Sequence, residues 1–349
     1  MKNTIGIIGG AGFIGSSLAK RMANYFDVKI IDVRVPKELQ KNACFEQCDV
    51  RNYEDVRKAA DGLDLVIHMS IIQIPVINEQ KKLGYEVNII GTQNVCKAVE
   101  ESQRAKGLIL SGSWHTIGEK ELRGIIDEEF GFRPDKVEDR ARLYALAKMA
   151  QESIVRFYDE MTPKVYGIIR MGTVLGEGMP EKTAANIFIE NGIAGKPLTP
   201  FKNSMYRPML YVDINDVCKA YEKFAQKILT DHVKKEGNSV AHIFNVYYPE
   251  PVTISELSQI AKDVITEESE GKIKPEINIV DTGETSIFSQ EDKGLIKVDA
   301  AKALKFLEME RLKSPRESIQ EIVKKRLNKR YVNLFMDEFQ LLDFSEEQK

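Results

Sequence analysis

The chain has 349 residues, 43% hydrophobic and 30% charged, which is enough for one large two-lobed domain or two domains with full cores. A net charge of -3 and a pI near 6.0 exclude a broad basic surface for nucleic acid or an anionic membrane, so any anionic ligand must be met locally. Four scattered cysteines, Cys44, Cys48, Cys96 and Cys218, exclude a disulfide scaffold; they suit packed thiols in a reducing cytoplasm better than zinc, because Cys44 and Cys48 lack a second ligand pair.

The start carries one lysine, no small-residue cleavage site and no apolar stretch of membrane length, so neither signal peptide nor anchor is expected. Thr4 to Ile8 reads as a buried strand, which breaks into Gly9, Gly12 and Gly15. Glycines at that spacing let the backbone turn tightly, approach a pyrophosphate and pack the next helix on the sheet. That helix, expected from Phe13 to about Tyr25, points the amides of Phe13 and Ile14 at the phosphates. A second strand, Val28 to Val33, carries Asp32, 17 positions after Gly15, where a carboxylate can accept both ribose hydroxyls. Its charge favours NAD over NADP.

Alternation continues with a strand at Cys44 to Asp49, a helix at Tyr53 to Ala60, a strand at Leu63 to His68 and a helix from about Tyr85 to Ser102. Next come a strand at Gly107 to Ser111, a helix from about Arg140 to Tyr158 and a strand at Val165 to Arg170. Strands separated by helical patterns mean βαβ units, here an α/β doubly wound parallel Rossmann sheet over residues 1–172. Beyond Gly172, glycines and prolines punctuate short segments, as in a smaller C-terminal substrate lobe over 173–349. Segments near 206–224 and 242–248, including Tyr211-Val212 and Ile243 to Val246, are expected to return to the main sheet. Helices are expected at Ile254 to Ile265, Asp299 to Phe306 and Pro315 to Arg326, with a charged loop from Thr266 to Lys274.

Tyr144 and Lys148 lie four residues apart, on one face of the long helix. A phenol with a pKa near 10 is a poor base at neutral pH, and a neighbouring cation moves it toward usefulness. Ser113 follows the fifth strand, where a hydroxyl can hold a substrate oxygen.

These residues resemble the extended short-chain dehydrogenase/reductases, the NAD-dependent epimerase/dehydratase family, over nearly the whole chain. Gly9, Gly12 and Gly15 match its glycine loop, Asp32 its ribose aspartate and Asp49-Val50 its adenine-contacting pair. His68-Met69-Ser70 is similar to its fourth-strand motif, Asn88 to its helix asparagine, and Ser113, Tyr144 and Lys148 to its catalytic trio. The resemblance implies NAD as cofactor, bound also through Met69, Ser70 and Asn88. It implies that Tyr144 takes a proton from a substrate hydroxyl as hydride passes to nicotinamide, that Ser113 holds that oxygen, and that Lys148 binds the nicotinamide ribose. It also implies a homodimer through the helices near Asn88 and Tyr144.

The substrate is a sugar or nucleotide-linked sugar on this resemblance. Trp114 and His115 stand where family dehydratases carry an acidic pair, which disfavours dehydration. Thr173 follows the sixth strand, and Arg207 matches an arginine that family epimerases place on the substrate diphosphate. Ser113-Trp114-His115 resembles a segment of uronate dehydrogenases that touches a sugar acid, with Trp114 in place of an asparagine. The expected function is an NAD-dependent sugar epimerase or oxidoreductase, the alternatives being a dehydrogenase of a free sugar or sugar acid and a non-catalytic NAD-sensing regulator. The basic run Lys324 to Arg330 and the segment Tyr331 to Phe344 read as a helix end packing back on its own lobe.

Overall fold

The computed structural model describes residues 2–346 save 234 and 236, and of 331–346 the backbone alone. Seven parallel strands form the main sheet: β1 (Thr4–Ile8), β2 (Asp27–Asp32), β3 (Ala43–Gln47), β4 (Leu65–His68), β5 (Gly107–Ser113), β6 (Val165–Met171) and β7 (Ile243–Val246). Their order is β7-β6-β5-β4-β1-β2-β3. The direction of winding reverses between β1 and β4, and a doubly wound sheet binds its ligand in the crevice at such a switch point, beyond the carboxyl ends of the strands.

Alternate residues of each strand feed two cores, because successive side chains point to opposite faces. Ile5, Ile7, Leu65, Ile67 and Ile109 join Leu18, Phe224 and Phe244 on one face; Ile8, Val66, Leu108 and Leu110 join Val56, Val99 and Tyr158 on the other. Both faces are covered by helices, which is why these strands read as apolar runs rather than alternating patterns. A third core holds Trp114, Leu175, Phe188, Leu257, Ile265, Ile319 and Val323.

The expected boundaries move in a few places. The first helix ends at Met22, ahead of Tyr25, because the chain turns there to begin β2 at Asp27. The helix expected from Tyr85 begins at Lys81, passes through a π-helical turn at Glu86–Ile90 and ends at Glu101. The π turn carries Asn88, whose amide oxygen accepts from Ile72 N at 2.6 Å while its nitrogen donates to Ile72 O at 3.1 Å. The helix starting at Ile254 runs on to Glu268, into the stretch expected as loop, and begins at a capping box in which Thr253 and Glu256 satisfy each other's backbone amides.

Ile243–Val246 joins the main sheet beside β6 as expected, but Tyr211–Asp213 does not return to it. It pairs in parallel with Thr173–Leu175, which follows β6 directly and offers an unpaired edge before the main sheet can; only the next helix, Ile214–Leu229, packs back against the sheet. In the basic run, Arg326 contacts Glu177 at 2.9 Å, Glu190 at 2.6 Å and Asn186 Oδ1 at 2.8 Å, and Arg330 donates to the Ile193 carbonyl. The side chains of Tyr331 to Phe344 lie outside the described residues.

Candidate active site

The switch point is lined by backbone. Gly9 has φ +82°, and a Cβ there would stand 2.7 Å from Ser70 N and 2.8 Å from the Met69 carbonyl carbon, so the loop lies directly on the end of β4. Gly15 is equally committed, since its Cβ would meet Gly9 O at 2.4 Å. Gly12, by contrast, has nothing nearer than 3.5 Å and stands at the start of the helix Phe13–Met22, whose first amides no side chain caps. Uncapped amides beside open space are what an anion needs, and the residues present fit a dinucleotide pyrophosphate. The Phe13 side chain packs with the third core, against Gly176 and Gly178, so it is the backbone of Phe13 and Ile14 that faces this space.

Asp32 ends β2, 7% exposed. One carboxylate oxygen accepts from Ala11 N at 3.1 Å, tying the glycine loop to this strand, and the other accepts from Arg34 N at 3.0 Å. Asp49 is gripped by Arg51, at 2.6 and 3.0 Å, a hydrogen bond that holds its carboxyl below the ordinary value. Val50 is buried against Gly91. Asn88 hydrogen-bonds the backbone of Ile72 through both ends of its amide and so props the segment after β4.

The chemistry-bearing side chains gather at the end of β5 and on the helix Arg142–Met161. Lys148 is 2% exposed, donates from Nζ to Ser111 O at 2.7 Å, and is pushed down to about 7 by burial. Burial raises the Tyr144 phenol, and the opposing influence is a hydrogen bond from Ser113. Lys148 is turned to the β5 backbone, and Ser113 is the group that acts on the phenol against the rise burial causes. His68, also buried, contacts Thr92 Oγ1 at 2.9 Å and is pushed down to about 3 by burial and by the Lys148 charge.

Of the expected substrate residues, Trp114 is 1% exposed and belongs to the third core. Its indole N–H donates to Thr173 Oγ1 at 3.3 Å, so these two residues satisfy each other; a large apolar ring at a strand end is drawn into the nearest core and takes one partner for its polar edge. His115 lies edge-on to Tyr144, centroids 5.5 Å apart, with Nδ1 3.3 Å from Ser113 Oγ. Arg207 is spoken for as well. Its guanidinium pairs with Glu138 at 2.6 Å and lies over the Phe288 ring. Glu138 also takes Arg140 at 3.0 Å, so one carboxylate holds two arginines.

Glu119 and Glu138 went unnoticed in the sequence. Glu119 sits four residues after His115, a spacing that could have flagged it; Glu138 comes from a loop with no pattern, and only the fold brings it to Arg207.

Residues 5–246 match the model of a family described as NAD dependent epimerase/dehydratase. The chain is similar to UDP-glucuronate 4-epimerase 5 of Arabidopsis thaliana, 24% identical over 78% of this chain and 66% of that one. It is also similar to D-erythronate dehydrogenase of Haemophilus influenzae, 26% identical over 52% of this chain and 58% of that one. It thus spans less than two thirds of the length of these curated relatives. Among solved structures, MoeE5 in complex with UDP-glucuronic acid and NAD superposes with a TM-score of 0.75 at 17% identity, covering 94% of this chain and all of that one, which establishes a shared fold.

Proposed function

This chain belongs to the NAD-dependent epimerase/dehydratase family, and from that premise we propose that it interconverts or oxidises a nucleotide-linked sugar acid, with Tyr144 as the proton-transferring group. The observation that carries the reading is the convergence of Tyr144, Ser113 and Lys148 at the carboxyl end of β5, beside the switch point where the glycine loop meets β4. The similarity to a UDP-glucuronate 4-epimerase and the fold shared with a protein crystallised with UDP-glucuronic acid support the substrate class.

NAD, when bound, supplies the hydride acceptor for a carbon bearing a hydroxyl. The loop Gly9 to Gly15 would hold its pyrophosphate, Asp32 its adenosine ribose, and Lys148 the nicotinamide ribose. Ser113 orients the substrate oxygen and hydrogen-bonds the Tyr144 phenol, which takes the hydroxyl proton and returns it on reversal. Holding these groups in one place before the substrate arrives is the enzyme's part of the work.

Incubating the purified chain and NAD with UDP-glucuronate, and separately with free uronic and aldonic acids, tests this. Conversion of UDP-glucuronate that Tyr144→Phe lowers by roughly a hundred- to ten-thousandfold, with NAD affinity unchanged, is the expected outcome. Turnover undiminished in Tyr144→Phe would remove the assignment. A second reading, oxidation of a free sugar acid, has its support in the resemblance to D-erythronate dehydrogenase and in Arg207, which Glu138 already engages instead of leaving it free for a diphosphate. Net formation of reduced nicotinamide with a free acid, and none with UDP-glucuronate, would decide for it.

A further inference from the structure

Beyond the catalytic trio, a chain of polar contacts leads away from the phenol and ends on a buried carboxyl. Ser113 lowers the Tyr144 phenol against the rise burial causes, and His115 lies edge-on to the same ring, centroids 5.5 Å apart. Ser113 Oγ lies 3.3 Å from His115 Nδ1 and accepts from the His115 backbone N–H at 3.3 Å. On the far side of the ring, His115 Nε2 faces Glu119 Oε1 at 3.5 Å. Glu119 is 1% exposed; its other oxygen accepts from Glu138 N at 3.3 Å, while Oε1, the atom facing the ring, has no hydrogen-bond partner among the described residues. Nothing in the expected mechanism uses this carboxyl.

The two ring nitrogens of a neutral imidazole do opposite things, and the partner of one decides the role of the other. Were Glu119 an anion, it would take an Nε2 proton, leave Nδ1 as an acceptor and draw the Ser113 hydroxyl proton away from Tyr144. Were it a neutral acid, it would donate to Nε2, make Nδ1 the donor to Ser113 Oγ, and leave the Ser113 proton free to point at Tyr144 or a substrate oxygen. The surroundings choose between these. Glu119 has two guanidiniums in its vicinity, Arg140 and Arg207, but Glu138 already engages both, at 3.0 and 2.6 Å. Burial raises the Glu119 carboxyl above its ordinary value despite those two charges and two backbone amides, and burial with the same arginines pushes the imidazolium down to about 3 against the pull of Glu138, so the ring is neutral. A buried carboxyl whose neighbouring guanidiniums are engaged by another carboxylate is shifted toward the acid.

We propose that Glu119 is a positioning residue of this site: as a neutral acid donating to His115 Nε2, it selects the Nδ1–H tautomer and so turns the Ser113 hydroxyl proton toward Tyr144 and the substrate oxygen. This rests on the reading that Tyr144 and Ser113 carry the chemistry, but its test does not depend on finding the substrate.

Nuclear magnetic resonance of the NAD-saturated, 15N-histidine-labelled chain reads the tautomer directly; the chain has four histidines, and His115→Asn identifies the signal by its loss. The expected result is Nδ1–H in the wild type, retained in Glu119→Gln, whose amide can still donate to Nε2, and shifted to Nε2–H in Glu119→Met. A wild-type Nε2–H tautomer, or an unchanged one in Glu119→Met, would overturn the proposal. Should Glu119→Met fail to fold, the wild-type tautomer and its retention in Glu119→Gln still decide. With UDP-glucuronate as probe, Glu119→Met should lower kcat by roughly ten- to a hundredfold with little change in KM, as loss of a tautomer-fixing partner does elsewhere, and Glu119→Gln should restore it. If UDP-glucuronate is not turned over at all, the function proposed above fails while the tautomer still reports on Glu119.

Discussion

The two sides of the site are made of different materials. Around Gly9, Gly12 and Gly15 the groups offered to a ligand are backbone amides, their positions fixed by glycines that admit no side chain. Around Ser113, His115 and Arg207 the groups are side chains, nearly all buried and already set against one another: Trp114 hydrogen-bonds Thr173, Arg207 pairs with Glu138, and His115 lies between Ser113 and Glu119. The backbone side is complete as it stands, whereas the side-chain side is a balance of paired charges in which each removal leaves a partner stranded. Damage on the first side should therefore be local and steric, and on the second electrostatic and relieved by a second change.

The largest effect that would sharpen this contrast is at Arg207. Replacing it by methionine leaves the Glu138 carboxylate buried with only Arg140 beside it, and removing one partner of a buried pair costs about 3–5 kcal/mol. Chemical denaturation should show that loss, and Arg207→Met combined with Glu138→Gln should recover most of it. A double variant no more stable than the single would mean that the pair is not a unit.

On the backbone side, Gly9→Ala should cost about 1–3 kcal/mol for the left-handed backbone alone, and more for the 2.7 Å approach to Ser70 N. Its thermal midpoint should no longer rise when NAD is added. Gly62→Ala has the same left-handed backbone, φ +72°, but open space around it; it should lose stability comparably and keep the NAD response. An unaltered NAD response in Gly9→Ala would break the assignment of this loop.

The last expected effect is a slope, small over any one pH unit. Burial holds Lys148 at about 7, well below the value near 10.4 of the unfolded chain, so between those values the unfolded state binds more protons and stability rises with pH. The penalty is full below pH 7 and is lifted as pH climbs toward 10. Lys148→Met should remove this contribution, seen as a difference of at most about 1.4 kcal/mol per pH unit between the two denaturation series. Parallel series would mean that the ammonium is not desolvated.

How far the sequence was legible follows the same division. The glycine loop, Asp32 and the pair Tyr144 and Lys148 could be picked out because each depends on spacing along one turn, one strand or one helix. Asn88 could be noticed but not understood: its spacing said nothing of Ile72, the backbone it pins across the fold. Tyr211–Asp213 carried a sound strand pattern with no indication of its partner, which turned out to be Thr173–Leu175.

By itself, then, the sequence determined the α/β alternation and the parallel sheet, and it marked the three glycines at the end of β1, because these follow from local periodicity and from backbone freedom at glycine. Only the tertiary structure decided that Trp114 belongs to a core, that Arg207 is held by Glu138, and that His115 stands between Ser113 and Glu119. The physical reason is that burial and charge pairing are properties of neighbours in space, and Glu138 and Arg207 lie 69 positions apart in the chain (207 minus 138) yet 2.6 Å apart in the fold.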